Sequence, residues 1–236
     1  KNDKAIRQLE LTYGGGKTHT LITLLHLVQD PESLPDLPAV DQFLAELDGL
    51  KPPKSRVVVL PFDKLDVEKG MQIGDPDGNV RWLKQPWSVL AWQLMGSAGI
   101  KLLHPDDKDE ERDSAPAEPL VQQLLEAPQK DGLATLVLLD EVLMYARDKI
   151  ARNKPFEGYL LSFFQALTQA ATKVKTCAVV ASLLASDPTK WDTSGKRIEA
   201  EFRDVFRRGQ EEGVQPVGKE DVAEVLRRRF FTPESI

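Results

Sequence analysis

The chain has 236 residues, 41% of them hydrophobic and 29% charged, the balance of a globular protein with enough apolar material for one core. Its 31 Lys and Arg against 37 Asp and Glu leave a net charge of −6, which excludes a global basic footprint for nucleic acid or anionic lipid, so any DNA or RNA contact has to be local. The single cysteine, Cys177, excludes an intrachain disulfide framework and a cysteine-based zinc site, and the longest apolar stretches, 21–28 and 133–139, fall well short of the ~20 residues that span a bilayer.

Residues 6–11 predict a short strand running into Thr12-Tyr13-Gly14-Gly15-Gly16-Lys17-Thr18, after which Leu21, Ile22, Leu24, Leu25 and Val28 recur at helical spacing. Residues 31–55 are rich in proline and acid and hold one helical stretch, 40–47, so they read as a bridge over the surface. The run 56–61, apolar after Arg56, predicts a parallel strand buried on both faces. Asp75-Pro76-Asp77-Gly78-Asn79 marks the turn of a small hairpin within 73–82, and a helix is expected over 86–95. The charged stretch 104–118 has no apolar period and predicts a solvated loop, dispensable for folding. A short helix, 120–125, precedes an apolar strand, 133–139, that ends in Asp140-Glu141; a helix at 159–171 and another buried strand, 176–181, follow. Beyond Ser182 the expectations are a helix at 198–208, an extended piece at 214–217 and a last helix at 220–230, with no internal repeat. Strands alternating with helices argue for an α/β fold with a parallel sheet.

Three glycines before Lys-Thr at a strand-to-helix turn suit a phosphate. Gly tolerates φ > 0 and bares its N–H groups, and the helix N-terminus adds its dipole. Gly14, Gly15 and Gly16 would wrap the phosphates, Lys17 would reach the β and γ groups, and Thr18 would offer its hydroxyl to Mg²⁺. The full spacing G-x-x-x-x-G-K-[ST] asks for glycine at position 11, where Leu11 stands. The bland alternative is a glycine-rich linker. Leu136-Val137-Leu138-Leu139-Asp140-Glu141 supplies the complementary pattern, four apolar strand residues closed by two acids. Asp140 would hold Mg²⁺ through water and Glu141 would act as general base on the attacking water, against the alternative of an ordinary strand ending in surface acids. The gap between the two elements holds the strand at 56–61 and so places an extra strand between them, as in the NTPases that carry their own catalytic glutamate.

Ser182 ends the third strand, where such folds set a polar side chain that senses the γ-phosphate. Arg203, Arg207 and Arg208 lie on a helix where a finger toward a neighbouring subunit is expected, and Arg207 is the choice among them; a solvent-facing basic helix is the alternative. His19, placed at the nucleotide mouth, and His26 are two helical turns apart and read as structural, because further metal ligands are missing nearby. Trp82, Trp87 and Trp92 read as core and hairpin packing rather than as caps for an adenine or a partner.

Tyr-Gly-Gly-Gly-Lys-Thr-His-Thr-Leu-Ile with Leu25-His26-Leu27 after it, the Leu-Leu-Asp-Glu-Val strand end with Tyr145-Ala146-Arg147, and Glu224-Val225-Leu226-Arg227-Arg228-Arg229-Phe230-Phe231 resemble the large prokaryotic AAA-like P-loop ATPases of the DUF499 type. The similarity spans nearly the whole chain. It implies a P-loop NTPase (AAA/ASCE-like) parallel sheet flanked by helices, ATP and Mg²⁺ as cofactors, and ring neighbours or self-association. It also implies a place beside methyltransferases, helicases or nucleases in restriction or phage-defence clusters. On this reading 1–218 is the ATPase core, with surface insertions about 31–54, 62–85 and 104–118, and 219–236 begins a truncated helical lid. The start at Lys1 agrees with a fragment of a longer protein, and a cytoplasmic location is expected. A P-loop small-molecule kinase is the first rival, though its Arg-rich lid is not evident. A GTPase lacks its Asn-Lys-x-Asp at Asn153-Lys154-Pro155-Phe156, and a nucleotide-binding scaffold that never hydrolyses remains the rival from another class.

Overall fold

The structure is a computed structural model of the chain and describes residues 5–9, 16–183 and 193–207, without the side chains of 193–195. Glu10, Leu11, Gly14, Gly15, Arg208, the extended piece, the last helix and the lid expected from the sequence lie outside the described residues.

Four strands, β1 (Ile6–Leu9), β2 (Ser55–Pro61), β5 (Ala134–Asp140) and β6 (Cys177–Ser182), form one all-parallel sheet in the order β1-β6-β5-β2. β3 (Met71–Gly74) and β4 (Val80–Leu83) form the separate antiparallel hairpin around the Asp75 turn, where the Asp75 carboxylate accepts from the Asp77 and Asn79 backbone N–H groups at 3.0 and 2.7 Å. The helices are α1 (Lys17–Gln29), α2 (Pro38–Glu46), α3 (Pro86–Leu103), α4 (Glu118–Glu126), α5 (Val142–Arg152), α6 (Phe156–Lys173) and α7 (Thr193–Phe206).

Parity along the strands divides the sheet into two faces. Val58, Leu60, Val137, Leu139, Val179 and Ala181 face α3, α4 and α6 in the larger core, with Trp87, Leu124, Leu160, Phe163 and Phe164 fully buried against them. Leu136, Leu138 and Val180 face α1 in a thinner layer with Leu9, Leu21 and half-buried Leu24, Leu25 and Val28. The crossover through α1 runs from β1 across the sheet to β2. The returns from β2 to β5 and from β5 to β6 run the other way over the opposite face. Reversing both direction and face preserves the right-handed sense that parallel crossovers require.

Several expectations are corrected. The strand at 56–61 is an edge strand among those described: Val57 and Val59 are half-buried, and the Gln93 amide covers the edge, accepting from the Val59 N–H at 3.0 Å and donating to its carbonyl at 2.9 Å. That strand does not separate the glycine-loop strand from the acidic strand; β6, the last of the described strands in sequence, does. The polar Arg7 and Gln8 are explained by β1 pairing only with β6 among the described strands, with Gln8 buried nonetheless. α3 extends eight residues beyond the expected helix end across a break at Gly96, whose φ of 57° and ψ of −141° suit glycine alone. α5 is a helix not expected. Trp87 and Trp92 are core, whereas Trp82 is 59% exposed.

The stretch 104–117 is a loop exposed over 105–110, as expected, but not a free one. Glu111 accepts the backbone N–H groups of Lys84 and Gln85, the Arg112 carbonyl accepts from the buried Trp87 indole at 2.6 Å, and Asp109 holds both Arg81 and Ser97. Its charged residues strap the hairpin to the start of α3.

Candidate functional site

In an open parallel sheet, ligands sit at the carboxyl ends of strands, where neighbouring strands send their chains to opposite faces. β1 leaves into α1 on one face, and α7, the next described element after β6, packs with α5 and α6 on the other. The crevice therefore lies at the ends of β1 and β6. Register sets Ser182 beside Leu9, and Ala181 beside Leu139, so Ser182 and Asp140 end neighbouring strands at the same level.

Gly16 precedes α1 in the left-handed conformation, φ 78° and ψ 13°, where an L side chain is strained. It turns the chain so that Lys17 and Thr18 occupy the first turn, which contains no acid to offset the helix dipole. The Thr18 hydroxyl donates to Asp140 Oδ2 at 2.6 Å, joining residues 122 apart in sequence. Asp140 is only 8% exposed, and its other oxygen, Oδ1, is buried without a hydrogen-bond partner. Ser182 is fully buried and its hydroxyl is likewise unpartnered. A buried polar atom left without a partner costs about 1–3 kcal/mol. Two of them end neighbouring strands, where one ligand, ion or water could satisfy both.

Glu141 follows in the left-handed region at φ 57° and ψ 36°, a conformation that costs a residue with a side chain about 1–2 kcal/mol. The conformation lets one residue end β5 and start α5, with the Met144 N–H donating back to the Glu141 carbonyl at 3.2 Å. Burial raises its carboxyl pKa above the ordinary value, helped by the charges of Asp140 and Asp63, while Lys17 and Lys64 oppose the shift. Asp63 and Lys64, themselves paired at 2.7 Å, were not singled out from the sequence. The register pairing of Pro61 with Asp140, and the Phe62 N–H donating to the Asp140 carbonyl at 3.0 Å, place them just beyond the acidic pair. Their only sequence signal is their position after the last residue of an apolar strand.

Lys17, Thr18, Asp140, Glu141 and Ser182 thus converge on one rim of the sheet, with Gly16 as the turn; Gly14 and Gly15 lie outside the described residues. His19 is exposed on α1, as is His26, and neither packs into the core. Arg207 follows α7 and is exposed, its backbone N–H donating to the Arg203 carbonyl at 2.8 Å. Arg203 is held by Glu199 at 2.8 Å. Among the described residues no three His, Cys, Asp or Glu side chains cluster as a metal site, so a cation at the rim would depend on Thr18, Asp140 and other oxygens. No helix among those described is long and apolar enough to cross a membrane.

No curated protein and no solved structure matches the chain. A family model, that of the DUF499 N-terminal domain, matches residues 1–211, a span that includes every strand and helix described and all the rim residues. On that match the chain belongs to the DUF499 family, whose N-terminal domain it carries.

Proposed function

We propose that this chain binds ATP with Mg²⁺ at the carboxyl rim of β1, β6 and β5 and hydrolyses it, as an AAA-like P-loop module of a larger prokaryotic protein. The observation that carries the reading is the 2.6 Å hydrogen bond from Thr18 to Asp140. It brings the hydroxyl after the loop lysine onto the carboxylate at the end of the acidic strand, the two hard oxygen donors that a phosphate-bridging cation takes from protein.

The remaining groups supply what phosphoryl transfer to water requires. Lys17, at the first helical position, is the cation for the β and γ phosphates. Thr18 and Asp140 would hold Mg²⁺, Asp140 Oδ1 being the spare acceptor, and the ion would neutralise charge on the phosphate oxygens. Glu141 accepts a proton from the attacking water; its raised proton affinity brings it closer to the working pH of a general base. Ser182, with an unspent hydroxyl one strand away, orients the water or senses the γ-phosphate. The order β1-β6-β5 supports this division of labour, because the serine stands on the strand between β1 and the acids at the end of β5. Ring neighbours, an arginine contributed between subunits, and a role in restriction or anti-phage defence extend the same reading.

Titration calorimetry with ATP and Mg²⁺ tests it. Lys17→Ala is expected to abolish tight binding, because the fixed cation facing the phosphates is lost; equal affinity in parent and variant would remove the phosphate-loop assignment.

A further inference from the structure

α2 is sharply defined by its own sequence. Pro38 opens it. At the far end Asp48 and Gly49 turn left-handed, at φ 53° and 76°, and the Gly49 and Asp48 N–H groups donate to the Leu44 and Ala45 carbonyls at 2.8 and 3.1 Å. Yet none of its nine residues is buried, and it makes no substantial packing contact with another described element. Isolated helices shorter than about 12–15 residues are marginal in water, and most draw their stability from burying a face. Such a face is present. Leu37, Val40, Leu44 and Leu47 recur at helical spacing with Phe43 beside them and Leu50 beyond; Val40, Phe43 and Leu44 are half-buried, and Leu37, Leu47 and Leu50 at the ends of the stripe are 51%, 36% and 70% exposed. The surroundings carry one sign of charge. Residues 30–50 include six Asp and Glu and no Lys, Arg or His. Lys54 and Lys51 engage Asp30 and Glu32 at 3.7 and 2.5 Å, which leaves Asp36, Asp41, Glu46 and Asp48 around the stripe.

We propose that the α2 stripe is the docking surface for a basic amphipathic helix of a partner protein. The leucines and Phe43 would give the affinity, and the acidic rim would set register and speed encounter. A second copy of the same stripe is the wrong occupant, because it would set acid against acid.

The test is hydrogen exchange on the full chain, with a synthetic helical peptide carrying leucines at i, i+3 and i+7 and lysines elsewhere, against a scrambled peptide of the same composition. The amides of 38–46 are expected to exchange readily in the chain alone and to gain about tenfold protection or more with the helical peptide only. Leu44→Asp should remove that gain. Should Leu44→Asp disturb folding, Asp41→Lys combined with Glu46→Lys, at exposed positions, should weaken the peptide's binding by about tenfold or more. Equal protection by the scrambled peptide overturns the proposal. So does an α2 already protected in the dilute chain, which would mean that the chain covers its own stripe. Protection that rises with protein concentration alone would mean that a second copy does, and overturns it equally.

Discussion

The helix-packed face of the sheet and the rim at its carboxyl end belong to the same strands and follow opposite rules. Under α3, α4 and α6 the side chains are apolar and fully buried, and aromatic rings meet at 5.2 to 5.9 Å, among them Phe163, Phe164, Phe62 and Trp87. At the rim, a few residues along, Asp140 Oδ1 and Ser182 Oγ are buried without partners and Glu141 holds a strained backbone. Packing supplies the stability that lets the rim keep unsatisfied, strained groups, and such groups cluster where a ligand completes them. Substitutions on the two sides should therefore move different observables.

The largest effect is expected from Phe164→Ala, which empties a site surrounded by Phe62, Phe163, Phe202 and Phe206 and should cost about 3–5 kcal/mol of unfolding free energy in urea titration. A loss below about 1 kcal/mol would mean that this face is loosely packed. Trp87→Phe comes next. It leaves the Arg112 carbonyl without its indole donor and should cost about 1–3 kcal/mol, read from the same titration. A neutral result would restore the view of 104–118 as a free loop. Ser182→Ala inverts the pattern: removing an unpartnered buried hydroxyl should leave stability within about 1 kcal/mol of the parent, or raise it, while ATP turnover falls. A large loss of stability would show that the serine serves the core. The smallest effect concerns Cys177, whose thiol burial pushes up to about 12, so the thiolate is scarce at neutral pH. An alkylating reagent should label it only as fast as the chain opens; rapid labelling of native protein would show that the α4 and α6 side is not closed.

What the sequence made legible follows the reach of each signal. The hairpin turn at Asp75 and the apolar strand before Asp140 are local, and the structure has both within one or two residues of the expected bounds. Strand order is not local: the run at 56–61 reads as doubly buried because it is mostly apolar, yet its place at the edge of the described sheet depends on where β6 inserts, more than a hundred residues later. α5 carried a helical signal in Val142, Leu143, Tyr145, Ala146 and Ile150, hidden by its abrupt start from the left-handed Glu141. The stretch 104–118 misled because composition counts charges and cannot show their partners; Glu111 and Asp109 work as acceptors for groups 12 to 28 residues away. The rim residues were legible by type and order, and the structure adds the distance between Thr18 and Asp140, the orphaned oxygens, and Asp63 with Lys64.

The most direct test of the central claim separates binding from chemistry at Glu141. Glu141→Gln keeps the shape and hydrogen-bonding reach of the side chain but removes the basic carboxylate. ATP binding measured by calorimetry should then match the parent, while steady-state turnover in the assembled protein falls by about 10²-fold or more. Turnover equal to the parent's would contradict the account and leave the acidic strand end as a structural coincidence.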